Sequence, residues 1–153
     1  PLGAILSTEK IFSTFLDPPL SHLTTFGGNP VSCAAAIAAF DVIQKEGLID
    51  QTKELGNYLK ERLSSAQREF PDSISEIRGI GLWYAIDLSP ESITLPLVQE
   101  MQNRGVIVGS MLNSNGTIRI APPLIIRPAE IDTFIGVLKA SLRTLKNQNG
   151  HHP

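Results

Sequence analysis

Apolar residues recur along this chain at two spacings, and the spacing changes near residue 72. Before that point the intervals are helical. Leu48, Leu55, Leu59, Leu63 and Ala66 fall on one stripe, which predicts a helix over about 48–69, ended by Pro71-Asp72. Upstream, Asn29 and Pro30 open an alanine-rich run to about Lys45. Asparagine caps a helix, proline suits its first position, and Gly47 breaks it. Small side chains on several faces of that helix predict more than one close neighbour, hence burial. A short helix over 8–15 is stopped by Asp17-Pro18-Pro19.

After residue 72 the pattern shortens. Ile74–Arg78 and Leu82–Leu88 read as strands around a Gly79-Ile80-Gly81 turn. A helix over 92–104 stops at Gly105, the expected position of a C-terminal cap. Val106-Ile107-Val108 and Thr117-Ile118-Arg119-Ile120 read as two further strands, joined through Asn113-Ser114-Asn115-Gly116. From Pro128 a last helix repeats Ile131, Phe134, Ile135, Leu138, Leu142 and Leu145 on one face. Glu130 and Asp132 lie in its first turn and Lys139, Arg143 and Lys146 toward its end, as the helix dipole favours. The sum predicts an α+β chain: an irregular segment over 1–30, linker helices over 31–71, a small α+β domain over 72–146 and a disordered tail over 147–153. The domain is expected to hold a three- or four-stranded, mostly antiparallel sheet with helices on one face.

Composition narrows the classes of function. Hydrophobic residues make up 42% and charged residues 18%, ordinary for a soluble globular chain. A formal net charge of −2 supplies no basic field for nucleic acid or an anionic membrane. The longest apolar stretch, Ala34 to Phe40, is too short to span a bilayer. A single cysteine, Cys33, excludes an internal disulfide and fits a reducing cytoplasm. Inside an alanine-rich helix it reads as a buried small residue rather than a nucleophile. The opening Pro1-Leu2-Gly3-Ala4-Ile5-Leu6 has neither an initiator methionine nor a signal-peptide charge pattern, so the chain is expected to be part of a longer polypeptide.

One loop carries candidate chemistry: His22-Leu23-Thr24-Thr25-Phe26-Gly27-Gly28-Asn29-Pro30. Two hydroxyls and two glycines empty into a helix N-terminus, a composition that can hold an anion through hydroxyl and backbone donors. The alternative is a plain turn with an N-cap, and chemistry alone leaves both open. His22 has no partner at ligand spacing, which argues against a metal, and His151-His152 reads as part of a loose end. Trp83-Tyr84 reads as core or interface, Arg78 as either a functional group or one member of a structural ion pair, and Asp41, Glu46 and Glu54 as solvated helix charges.

The same loop, continued through Val31-Ser32-Cys33-Ala34-Ala35-Ala36, resembles the T-F-G-G-N-P-x-x-C-A-A-A signature of class III aminotransferases, the family of acetylornithine, ornithine, 4-aminobutyrate and putrescine aminotransferases. Three more stretches agree in order. Pro1-Leu2-Gly3-Ala4 resembles the segment after the family's Schiff-base lysine, Arg78-Gly79-Ile80-Gly81-Leu82 its R-G-x-G-L, and Arg119-Ile120-Ala121-Pro122-Pro123-Leu124 its R-x-A-P-P-L. The likeness runs from residue 1 to about 146.

The resemblance implies the C-terminal small domain of a fold-type I enzyme that depends on pyridoxal 5′-phosphate, working as a cytoplasmic homodimer. It implies that Thr25, with Thr24 beside it, contacts the cofactor phosphate across the dimer. Arg119 would face the active site, pairing with a glutamate or a substrate carboxylate, a task its planar fork suits. The expected reaction moves an amino group, a terminal one on an ornithine-like, diamine or ω-amino acid donor, to a 2-oxo acid. The loop Val108-Gly109-Ser110-Met111-Leu112-Asn113 is somewhat closer to putrescine-type members. In relatives the catalytic lysine lies upstream of Pro1, and Lys10, Lys45, Lys53, Lys60, Lys139 and Lys146 do not occupy its place, so no catalytic residue is expected in this chain and it should be inactive alone. Two rival readings stand: another class III enzyme, such as an aminomutase or decarboxylase, and a free-standing α+β module without catalysis.

Overall fold

The computed structural model describes residues 2–16, 18, 21, 23–111 and 114–149. His22, Asn113 and the end of the expected tail at 150–153 lie outside the described residues. The chain forms two compact units, residues 1–46 and 47–153.

In the first unit a short helix, α1 (Glu9–Phe12), runs into a 3-10 turn (Ser13–Phe15), and the long helix is α2 (Pro30–Lys45). The Asn29 side chain caps α2 by accepting from the backbone N–H groups of Val31 and Ser32 at 3.1 and 3.2 Å. No residue of α2 is buried within this chain, and the expectation of a buried Cys33 is corrected: it is half-buried. Of its alanines, Ala34, Ala35, Ala38 and Ala39 are exposed and Ala36 is half-buried.

The second unit is α+β. Helix α3 (Leu48–Glu69) leads into β1 (Ile74–Ile80) and β2 (Trp83–Leu88). A 3-10 turn and α4 (Thr94–Asn103) then precede β3 (Gly109–Met111), β4 (Ser114–Ile120) and α5 (Pro128–Asn149). The four strands form one antiparallel sheet in the order β1-β2-β4-β3. Alternation decides its two faces. Tyr84, Ile86 and Leu88 of β2 and Ile118 and Ile120 of β4 point into the core, where they meet Leu59, Leu63 and Ala66 of α3, Leu97 and Met101 of α4, and Ile131, Leu138 and Leu142 of α5.

Three expectations shift. Helix α3 was grouped with the linker, yet its apolar stripe is core of the second unit, which begins at Gly47 rather than residue 72. The strand expected over 106–108 lies instead at Gly109–Met111, because only there does the backbone pair with β4. Val106 and Val108 tuck partly into the core while Ile107 stays 86% exposed, an alternation that imitates a strand. Helix α5 continues to Asn149, three residues into the expected tail.

Candidate functional site

The loop before α2 is built by two glycines with different tasks. Gly28 has φ +71°, which a residue with a side chain rarely adopts, and a Cβ on Gly27 would collide with the Thr24 side chain. Thr24 and Thr25 are exposed beside this turn, and neither hydroxyl has a partner among the described residues. The helix end offers an anion less than its sequence suggests. Pro30 has no N–H, the amides of Val31 and Ser32 go to Asn29 Oδ1, and the Asn29 amide goes to the Phe26 carbonyl at 3.2 Å. Donors left over in this loop, among the described residues, are the two threonine hydroxyls and the Gly27 and Gly28 amides.

Arg119 is reached from the other end of the chain. In the sheet register Arg78 faces Ala85, Ala85 faces Arg119, and Arg119 faces Gly109, so one row across all four strands holds two arginines separated by a single small residue. This row lies on the face opposite the core. With Trp83, Thr117 and Ser114 it borders a depression of about 420 Å³. Trp83 is 63% exposed at its edge, whereas Tyr84 is core.

The neighbouring row holds Asp87 opposite Thr117. One Asp87 oxygen accepts from Arg78 Nη1 and the other from Thr117 Oγ1 at 2.6 Å. Since the Thr117 proton is used there, Ser114 Oγ, 2.7 Å away, donates to Thr117. The Arg78 guanidinium, then the Thr117 hydroxyl, hold the Asp87 carboxyl below the usual carboxylate range against the opposing effect of burial. The same hydrogen bond raises Arg78 above its ordinary value. Arg78 is thus one member of an ion pair, with Glu76 3.6 Å away as a second acid. The Arg119 side chain is exposed and makes no hydrogen bond or ion pair with a described residue.

The sequence reading missed Asp87 and Thr117. The signal was present in the alternation of Trp83–Leu88, which puts Asp87 on the polar face, but its partners depend on register. Among the described residues no cluster of histidine, cysteine, aspartate or glutamate could hold a metal, and no helix is long and apolar enough to cross a membrane.

Residues 1–142 match the class-III aminotransferase family. The chain belongs to that family. Among solved structures it is similar to a lysine aminotransferase from M. tuberculosis, with a TM-score of 0.75 and 32% identity over 82% of this chain and 28% of that one. An aminotransferase from Bacillus anthracis superposes with a TM-score of 0.77 and 29% identity, covering 89% of this chain and 34% of its own. A transaminase with L-alanine gives 0.78 and 25%, over 92% and 36%. The chain therefore spans about a third of the length of these structures or less. The α+β fold with a four-stranded antiparallel sheet is the one expected for the family's C-terminal part.

Proposed function

We propose that these residues serve a pyridoxal-phosphate-dependent transamination, carried out by a longer, cytoplasmic, homodimeric polypeptide. The amino group comes from a terminal amine of an ornithine-like, diamine or ω-amino acid donor and goes to a 2-oxo acid such as 2-oxoglutarate. The observation that carries this reading is the Arg119 guanidinium, exposed and unpaired among the described residues, beside a depression on the polar sheet face, in a chain of the aminotransferase family. Its fork offers two parallel hydrogen bonds to a carboxylate. Thr25, with Thr24 beside it, donates to the cofactor phosphate. Bound pyridoxal phosphate supplies the electron sink that makes the carbon–nitrogen chemistry possible. The chain's own part is to orient: a hydroxyl at the phosphate and a guanidinium at the carboxylate.

The test is amino transfer by the longest polypeptide that carries these residues, with ornithine, putrescine and 4-aminobutyrate as donors and 2-oxoglutarate as acceptor. Arg119→Ala should raise the KM for 2-oxoglutarate on the order of 10- to 100-fold, the loss expected for a charged hydrogen-bonded pair. No transfer from any of these amines, or an unchanged KM in the variant, would reject the proposal. The 153-residue chain alone is expected to be inactive, lacking a lysine in the catalytic place.

A further inference from the structure

Glycine is a poor strand former, so a glycine paired in a sheet calls for a reason. At Gly79 the reason is folding: a Cβ there would overlap the Trp83 carbonyl oxygen. Gly109, which opens the edge strand β3, has no such need. It is not among the positive-φ glycines, which are Gly28, Gly47, Gly81 and Gly105. Apart from its chain neighbours, the only atom among the described residues within 4 Å of a Cβ built on it is Arg119 Nη2, at 3.7 Å. The register accounts for this contact. Gly109 and Arg119 are direct cross-strand partners, so they share one side of the sheet, as does Ala85, the partner of Arg119 on β2. Arg119 thus stands between two positions of little bulk, and its guanidinium lies on the β3 side. On the other side, beyond Ala85, stands Arg78, a like charge. Gly109 and Arg119 also border a cavity of about 500 Å³ with Val108, Ile120, Pro122 and Phe134 in its largely apolar wall.

We infer that Gly109 is a positioning residue for Arg119: by carrying no side chain it leaves open the lane across β3 in which the guanidinium lies, and so sets where Arg119 meets a carboxylate. The inference rests on the reading of Arg119 given above. It does not depend on what else pairs with Arg119 in the longer polypeptide, since strand pairing within this chain fixes the contact. Alanine fits, because a Cβ at 3.7 Å is at an ordinary van der Waals distance. A branched side chain does not, because its γ carbons reach a bond length further, into the volume of the guanidinium. The strand survives the change, since what is met is the far end of a flexible side chain and valine suits a strand. Arg119 then leaves its lane while the fold remains. Strand pairing holds the stem of the arginine, and the missing side chain at Gly109 sets where its fork ends.

The test measures the dissociation constant of glutarate, an unreactive dicarboxylate, by calorimetry on the longest polypeptide that carries these residues, with pyridoxal phosphate bound. Gly109→Ala should bind glutarate within about twofold of the unaltered polypeptide, as a harmless substitution does. Gly109→Val should bind it about tenfold more weakly, the lower end of what losing a hydrogen bond between charged groups brings. Its melting temperature and its affinity for pyridoxal phosphate should not change. Should valine lower either, Gly109→Leu carries the same comparison. A double variant separates positioning from packing. Where Gly109 acts through Arg119, G109V should cost nothing further in an Arg119→Ala background, which has no guanidinium to displace. A merely structural role would add its own loss there. Weakening by valine as large without the Arg119 side chain as with it overturns the inference, and so does equal glutarate binding by Gly109→Val and the unaltered polypeptide. Glutarate bound equally with and without the Arg119 side chain, or not bound at all, rejects instead the carboxylate reading and removes the inference with it.

Discussion

The backbone of Gly56, in the middle of α3, lies directly against the carbonyl of Gly81 in the β1–β2 turn, where a Cβ would overlap that group. Beside the contact, the Tyr84 hydroxyl donates to the Gly56 carbonyl at 3.3 Å. Gly81 is itself in the left-handed region at φ +55°, so neither partner can take a side chain without movement. This close approach anchors the hairpin that carries Arg78 onto the helix. Gly56→Ala is expected to destabilise the chain by about 1–3 kcal/mol, the usual cost of overpacking a tight contact. Urea denaturation measures it, with exposed Asn57→Ala as a control within about 0.5 kcal/mol of the unaltered chain. A shift no larger than the control's would mean that α3 and the turn part easily.

Two carboxylates set the acid limit of stability. Asp87 is held below its usual range, first by the Arg78 guanidinium, and Glu69, mainly by its hydrogen bond from Lys139 and then by Arg143, is lowered as well. A depressed carboxyl contributes stability above its unfolded pKa and loses it as pH falls through the lower folded value. The melting temperature should therefore fall as pH drops below about 4, where free carboxyls begin to protonate. Asp87→Asn and Glu69→Gln should each start less stable at pH 7 and flatten this fall. A variant curve parallel to that of the unaltered chain would show that its group is not linked to folding. Because Glu69 is exposed and screened, its share should shrink in high salt.

At the other end of the chain, Thr25 and Thr24 make unequal predictions. Thr25→Val in the longest polypeptide carrying these residues should weaken pyridoxal phosphate by about tenfold, the worth of one hydrogen bond to a charged group, with a smaller effect for Thr24→Val. Equilibrium dialysis of the cofactor gives the ratio without an activity assay. Equal binding by both variants would remove the loop from the phosphate site.

Why some of this was legible in the sequence and some was not follows from what each signal encodes. Long helical stripes survive any context, so α3 and α5 were found nearly to their ends. A stripe does not say what it faces, which is why α3 was taken for a linker when it is core. Val106-Ile107-Val108 has the composition of a strand, and Gly109–Met111 does not. Pairing with β4, a non-local fact, decides between them. At the candidate site the motif strings gave Thr25 and Arg119, whereas the Arg78–Asp87–Thr117 connection needed the register of three strands. The N-cap role of Asn29 was legible. That this cap also uses up the helix amides an anion would want was not, because it depends on where one side-chain oxygen points.

Helix α2 leads to the last expectation. It spans 16 residues without a buried one, and Val31, Ile37, Phe40 and Val42 stand exposed along it, with Phe26 79% exposed just before. Apolar surface spread over several sides of an exposed helix is uncommon on a monomer in water and is removed by association. The 153-residue chain should therefore self-associate as its concentration rises, with sedimentation velocity showing a growing fraction above the monomer. Replacing Ile37 and Phe40 by glutamate should suppress this, since a charge in a buried contact is costly to desolvate. The helix itself should persist, because both positions are exposed and glutamate is a good helix former. Circular dichroism separates the two effects. A chain that sediments as monomer throughout, or association that survives the paired charges, would mean that α2 is not the sticky surface.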